Sequence, residues 1–195
     1  MTTVRGGNSV STALVKQLRD MTGAGIMDCK RALDETGGDV QKAAEILRQQ
    51  GMAKAEKKAG RTARMGLVDS YIHPGGRIGS MVELNCETDF VARTPDFQAL
   101  AHDLAMQVAA MDPKFVHASE VTDEAREQGI AEYGDEKRFL EATVLMQQAF
   151  IKDPRRTMED LVRDAVAKMG ENIVVRRVVR FELGATVPDA QADEE

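Results

Sequence analysis

The sequence predicts an α+β fold, in which an N-terminal three-helix module precedes a core domain of antiparallel sheet with packed helices. The prediction rests on a change of hydrophobic period along the 195 residues. Up to residue 51, apolar side chains recur at helical spacing between glycine-containing breaks. Beyond residue 64, two short segments alternate as strands do, and longer helical patterns follow them.

The N-terminal module, residues 1–51, is predicted to contain three short helices around one small core. Ser11 and Asp39 are suited to cap the first and third helices, and the third is expected to end at Gly51. Helices of about 11 residues share a small core and little more, which is typical of a binding module. The apolar positions assigned to this core are Leu14, Leu18, Met21, Ile26, Cys29, Ala32, Leu33, Val40, Ala43, Ala44 and Leu47.

The remaining chain is predicted to form a basic helical linker, a core domain and a disordered acidic tail. The linker covers residues 52–64, the core domain residues 65–184 and the tail residues 185–195. The core domain is expected to contain a hairpin of 67–72 and 78–84, a helix opened by Thr94-Pro95, a helical stretch over 121–148, a capped helix from Thr157 and a strand at 173–183.

Charge and composition exclude several classes of protein. Residues 65–195 contain 14 basic and 25 acidic residues, and an acidic bulk of this kind repels phosphate backbones, so no direct nucleic-acid partner is expected. The longest apolar run is Val108–Met111, far shorter than a membrane span, and the N-terminus lacks the apolar segment of a secretory signal. A cytoplasmic location without membrane contact is therefore predicted. Cys29, Cys86 and the single histidines show no spacing typical of a metal site or disulfide framework, so neither a metal nor a cofactor is expected.

The sequence gives no support for an enzyme. Nucleotide-binding glycine motifs, zinc-protease motifs and nucleophile elbows are absent from the sequence. His73-Pro-Gly-Gly could cradle a phosphate, although a hairpin turn is the favoured interpretation. The carboxylates of Glu83, Glu87 and Asp89 have no nucleophile or acid partner nearby in sequence.

One segment, Asn85-Cys-Glu-Thr-Asp-Phe-Val-Ala-Arg93, connects a predicted strand to a predicted helix. Functional residues concentrate in such connections, so the segment is a candidate contact loop. A lone Phe is more often a core residue, and an Asp beside it is often a turn residue. From the residues alone, both interpretations stay open.

The ordered motifs of this chain resemble those of the elongation factor Ts family, the guanine-nucleotide exchange factors for elongation factor Tu. They run in family order over roughly residues 12–184. The matching blocks are Leu14-Val-Lys-Gln-Leu-Arg-Asp-Met-Thr-Gly-Ala-Gly-Ile-Met-Asp-Cys-Lys-Arg-Ala-Leu33, Ala55 to Gly60, Tyr71-Ile-His-Pro-Gly-Gly-Arg77, Asn85 to Arg93, Phe150-Ile-Lys-Asp-Pro154 and Gly170-Glu-Asn-Ile-Val-Val-Arg-Arg177.

The resemblance implies roles for particular residues. Thr88, Asp89, Phe90 and Val91 match a motif whose Asp-Phe pair wedges into the GTPase domain of elongation factor Tu and disturbs its magnesium site. The helical module is similar to ubiquitin-associated domains and would dock on the same domain. Leu18, Ile26 and Met27 match its docking positions, with Ile26 where Met is usual, and Phe150 matches a further partner-binding position.

The resemblance also implies an assembly. The segment from about residue 114 to 145 is short, as in members that lack a second core half and dimerise instead, so a homodimer is expected. Two alternatives stay open. One is an adaptor of the ubiquitin-associated type without exchange activity, and the other is a phosphate-handling enzyme using His73, Gly75 and Gly76.

Overall fold

The computed structural model of the chain describes residues 10–185, which divide into two compact units. The first unit comprises residues 10–61 with 163–172, and the second comprises residues 62–162 with 173–185. The predicted acidic tail lies outside the described residues, apart from its first position, as does the N-terminal extension. No helix within the described residues is both long and apolar enough to cross a membrane.

Three helices form most of the first unit, as predicted. They are α1 (Thr12–Thr22), α2 (Ile26–Glu35) and α3 (Val40–Glu56). The Ser11 hydroxyl accepts a hydrogen bond from the backbone N–H of Leu14, and Asp39 accepts from that of Lys42. The bond from Lys42 holds the pKa of the Asp39 carboxyl below its ordinary value, because it favours the charged form.

Three details of the predicted helical module are wrong. Met21 and Ile26, assigned to its core, are 51% and 57% exposed, because both lie at helix ends beside the turn that joins α1 to α2. Helix α3 continues through Gly51 to Glu56. A Cβ at Gly51 would lie 3.1 Å from the Cβ of Ala167, so this glycine allows a close helix approach and does not end the helix. The buried core consists of Val15, Leu18, Cys29, Ala32, Leu33, Ala43 and Leu47.

The second unit is built on an antiparallel three-stranded sheet, which confirms the α+β prediction. The strands within residues 10–185 are β1 (Met65–Ile72), β2 (Ile78–Cys86), β3 (Ala149–Phe150), β4 (Asp153–Thr157) and β5 (Val174–Glu182). Strand β2 lies between β1 and β5, with Ser80 opposite Tyr71 on one side and Arg180 on the other.

The helix that begins at Pro95 packs against one face of this sheet. The remaining helices are α4 (Asp89–Ala92), α5 (Pro95–Met111), α6 (Asp123–Tyr133), α7 (Glu136–Thr143) and α8 (Met158–Met169). The buried Ser80 hydroxyl donates a hydrogen bond of 2.6 Å to the carbonyl of Ala105, which ties β2 to α5. Val82 and Leu84 are fully buried on the same face of β2.

The segment after α5 contains a second small core and a hairpin that the sequence did not predict. Val121, Phe139 and Val144 are buried together, and Gly129 of α6 lies so close to the Phe139 ring that a Cβ would come within 2.3 Å of it. Strands β3 and β4 form the hairpin. Its backbone is held by the buried Gln107, whose side chain donates to the carbonyl of Ala149.

Candidate functional site

The first candidate site is the TDFV segment, Thr88–Val91, where the inner strand of the sheet ends. Strand β2 ends at Cys86, and the four-residue helix α4 begins at Asp89 with Thr88 as its N-cap. Ala92 is buried and anchors α4, whereas Phe90 is 81% exposed. A large aromatic side chain exposed to this degree contributes almost nothing to the core of the free chain. The structure thereby removes the core interpretation of Phe90.

Asp89, the residue before this aromatic side chain, carries an accessible charge. Its carboxylate lies 2.8 Å from the guanidinium of Arg93, one helical turn later, and 42% of its side chain is exposed. Exposed ion pairs of this kind contribute only about 0.2–1 kcal/mol. The carboxylate can therefore exchange Arg93 for another cationic partner at little cost.

The second candidate site is an apolar docking face at the α1–α2 turn of the first unit. Gly23 ends α1 in a left-handed conformation with φ of 66°, and the chain turns directly into α2. Around this turn Ile26 and Met27 are 57% and 71% exposed. Met21, also exposed, extends the face. Helical spacing predicted that Met21 is a core residue. Its position beside the glycine turn is the one sequence signal that could have indicated an exposed side chain.

Two of the predicted site residues are buried. Leu18 is fully buried in the core of the first unit. Phe150 in β3 is 7% exposed, so it too acts as a core residue, while the neighbouring Ile151 is 36% exposed. Leu18 and Phe150 are therefore core residues of the free chain, and a partner-binding role for either one stays a prediction.

The His73 loop is a hairpin turn in the structure. The backbone N–H of His73 donates to the carbonyl of Ile78 at 2.8 Å, and that of Gly76 donates to the carbonyl of His73 at 2.9 Å. Gly75 and Gly76 have φ of 96° and 68°, which the turn requires. The backbone N–H groups of His73 and Gly76 are used within the turn and are not free to bind a phosphate.

The open face of the sheet, opposite α5, carries exposed apolar side chains on all three strands. The exposed apolar residues on it and at its edge are Val68, Ile72, Met81, Val179, Phe181 and Leu183. Cross-strand pairing places Met81 opposite Val179, and the Arg177 guanidinium bonds to Glu83 at 2.7 Å.

Within residues 10–185, no three or more His, Cys, Asp or Glu side chains gather in a way that would hold a metal ion.

Comparisons with known proteins agree with these features. A family model described as elongation factor TS matches residues 13–133. The chain is 47% identical to elongation factor Ts of Carboxydothermus hydrogenoformans, over 94% of each protein. It is 46% identical to elongation factor Ts of Coprothermobacter proteolyticus, over 90% of this chain and 98% of the relative. It is also 47% identical to elongation factor Ts of Moorella thermoacetica, over 93% of this chain and 99% of the relative.

Proposed function

The chain belongs to the elongation factor Ts family, and on that premise we propose that it is a guanine-nucleotide exchange factor for elongation factor Tu. In this role it binds the GDP-bound partner, disturbs the site of the magnesium ion and phosphates, and promotes GDP release so that GTP can bind. The observation that carries the proposal is the exposure of Phe90, 81%, on the anchored helix α4. A side chain of this size gains most by entering an apolar pocket on a partner.

The mechanism follows from linkage. A factor that binds the nucleotide-free conformation of its partner more tightly than the GDP-bound one weakens GDP binding by the same ratio. Phe90 supplies the apolar area that is buried only in the distorted partner. No bond is made or broken, so the chain acts as an exchange factor and not as an enzyme.

Asp89 adds an electrostatic contribution to this mechanism. Its carboxylate lies beside Phe90 and exchanges its exposed partner Arg93 at little cost. In the complex it competes for groups that order the magnesium and phosphate site. The partner's own ligands then lose part of their preorganised geometry, which favours release of the nucleotide.

Docking is assigned to the exposed pair Ile26 and Met27. Both are accessible around a turn fixed by Gly23, whereas Leu18 supports them from the core. Met27→Glu is expected to weaken binding of elongation factor Tu at least tenfold, since a buried unpaired charge is costly at an interface. The melting temperature should stay unchanged because Met27 is 71% exposed. A normal affinity would contradict this docking assignment.

The assembly is proposed to be a two-fold homodimer formed through the open sheet face. Exposed apolar residues on β1, β2 and β5, among them Ile72 and Phe181, would bury one another in a self-complementary contact. In the proposed function, the protein acts in the cytoplasm and requires neither a cofactor nor direct contact with nucleic acid.

Binding measurements on two forms of the partner test the proposed function. Calorimetric titration of the full chain into nucleotide-free and into GDP-bound elongation factor Tu should give a much tighter complex with the nucleotide-free form. Equal affinities would contradict exchange activity and favour the alternative, an adaptor of the ubiquitin-associated type that binds without affecting nucleotide. The observation that favours this alternative is the exposed apolar surface around Met27, which an adaptor would use for binding.

A further inference from the structure

We propose that Cys86 and Thr94, which flank the TDFV segment but lie outside it, are positioning residues that hold Phe90 in its contact geometry before the partner arrives. The inference rests on the proposed function, since it concerns how the same segment is presented. Neither side chain needs to touch the partner. Each acts through hydrogen bonds to a carbonyl of the segment.

Cys86 fixes the beginning of the segment. Its side chain is fully buried, and the thiol donates to the carbonyl of Thr88 at 3.1 Å. The same carbonyl accepts the backbone N–H of Ala92 at 3.4 Å, the bond that closes the turn of α4. The buried end of β2 is thereby connected to the first carbonyl of the helix that carries Phe90.

Thr94 fixes the end of the segment and joins it to α5. Its hydroxyl donates to the carbonyl of Val91 at 2.7 Å, and the same oxygen accepts the backbone N–H of Phe97 at 3.3 Å. The backbone N–H of Thr94 also donates to the Val91 carbonyl, at 3.0 Å. One side chain therefore caps α5 and also holds the Val91 carbonyl of α4. Phe97 is itself fully buried, so the attachment ends in the core of the second unit.

These two attachments matter because α4 is too short to be stable alone. A helix of four residues has no intrinsic stability in water, since nucleation costs more than its few hydrogen bonds return. Without the attachments, the segment would have to be ordered on binding, and that entropy would be lost from the interaction. Ordering about one further backbone residue weakens binding about tenfold.

The test compares variants of the full chain in a GDP-release assay with elongation factor Tu, at equal concentrations of folded factor. Thr94→Val removes the hydroxyl at nearly constant shape, and Thr94→Ser restores it. Thr122→Val is the matched control, because Thr122 caps α6 in the same way, with its hydroxyl accepting from Ala125 at 3.2 Å. Cys86→Ala is matched by Val82→Ala, a truncation at another fully buried position of β2.

We expect Thr94→Val and Cys86→Ala to slow release about tenfold each. Thr94→Ser, Thr122→Val and Val82→Ala should stay within about twofold of the unsubstituted chain. In free Thr94→Val, the backbone N–H of Ala92 should exchange with deuterium faster than in the unsubstituted chain. In a Phe90→Ala background, Thr94→Val should have no further effect on release, since the positioning acts only through Phe90.

The outcomes separate this inference from the proposed function. If Phe90→Ala slows release while Thr94→Val and Cys86→Ala do not, the positioning role is wrong and the proposed function stands. If Thr94→Val slows release equally with and without Phe90, its role is general stability, and the inference is again overturned. If the unsubstituted chain does not accelerate release, the proposed function fails. If it does and Phe90→Ala has no effect, the role of Phe90 is wrong and the inference fails with it, while exchange activity stands.

Discussion

Replacing Phe90 with alanine removes the largest exposed side chain of the TDFV segment without opening a cavity. Because 81% of the side chain is already exposed, the free energy of unfolding should change by no more than about 0.5 kcal/mol. Burying a Phe side chain contributes about 1.5–3 kcal/mol, and truncating an aromatic hot spot costs about 2–4 kcal/mol. If Phe90 enters a partner pocket, exchange at subsaturating factor should therefore fall about 30- to 1,000-fold.

The assay is the release of fluorescent GDP from elongation factor Tu after mixing with the factor and excess unlabelled GDP. Met111→Ala serves as the control, since Met111 is 42% exposed at the opposite end of α5 and belongs to neither proposed surface. It should release GDP at the rate of the unsubstituted chain. A Phe90→Ala variant that is folded and exchanges within about twofold of normal would refute the reasoning.

Three further substitutions test the fold and the assembly. Gly129→Ala should lower the free energy of urea unfolding by about 1–3 kcal/mol, because the new Cβ would lie 2.3 Å from the Phe139 ring; unchanged stability would contradict this packing. Asp39→Asn should keep the helix cap, but the free energy of unfolding of this variant should fall less steeply than that of the unsubstituted chain as the pH drops below about 4. The lowered pKa of Asp39, caused first by the Lys42 backbone bond, stabilises the fold above that range, and this contribution is lost as pH falls through the folded pKa; identical pH profiles of unfolding would show otherwise. Phe181→Glu should shift the mass measured by light scattering from two chains to one, and a single-chain mass for the unsubstituted protein at every concentration would exclude the dimer.

The elements with strong local signals were predictable from the sequence. The glycine-rich turn of the hairpin, the Thr94-Pro95 start of α5 and the reciprocal cap between Thr157 and Asp160 all appear as expected. Each depends on residues that are close in sequence, so local chemistry determines it. The hairpin of β3 and β4 was missed because two strands of a few residues have no measurable period, and a distant side chain, Gln107, holds them.

The candidate site was harder to predict from the spacing of apolar residues. Helical spacing assigned Met21 and Ile26 to the core. The spacing identifies the apolar face of a helix, but it does not show whether neighbouring helices cover that face as far as the helix ends. Gly51 has the form of a helix stop, yet it serves a close approach that only the fold reveals. For Phe90, the residues alone left core and contact interpretations open. The family resemblance favoured contact, and the exposure of the side chain supports it.

The central claim is that this chain accelerates nucleotide release from elongation factor Tu. Its most direct test is the rate of fluorescent GDP release measured against increasing concentration of the full chain, at constant magnesium and excess unlabelled GDP. The linkage mechanism predicts a rate that rises with factor and then saturates as the ternary complex of factor, partner and GDP becomes fully populated. A rate that stays at its spontaneous value at every concentration, while calorimetry shows the factor bound, would contradict the claim.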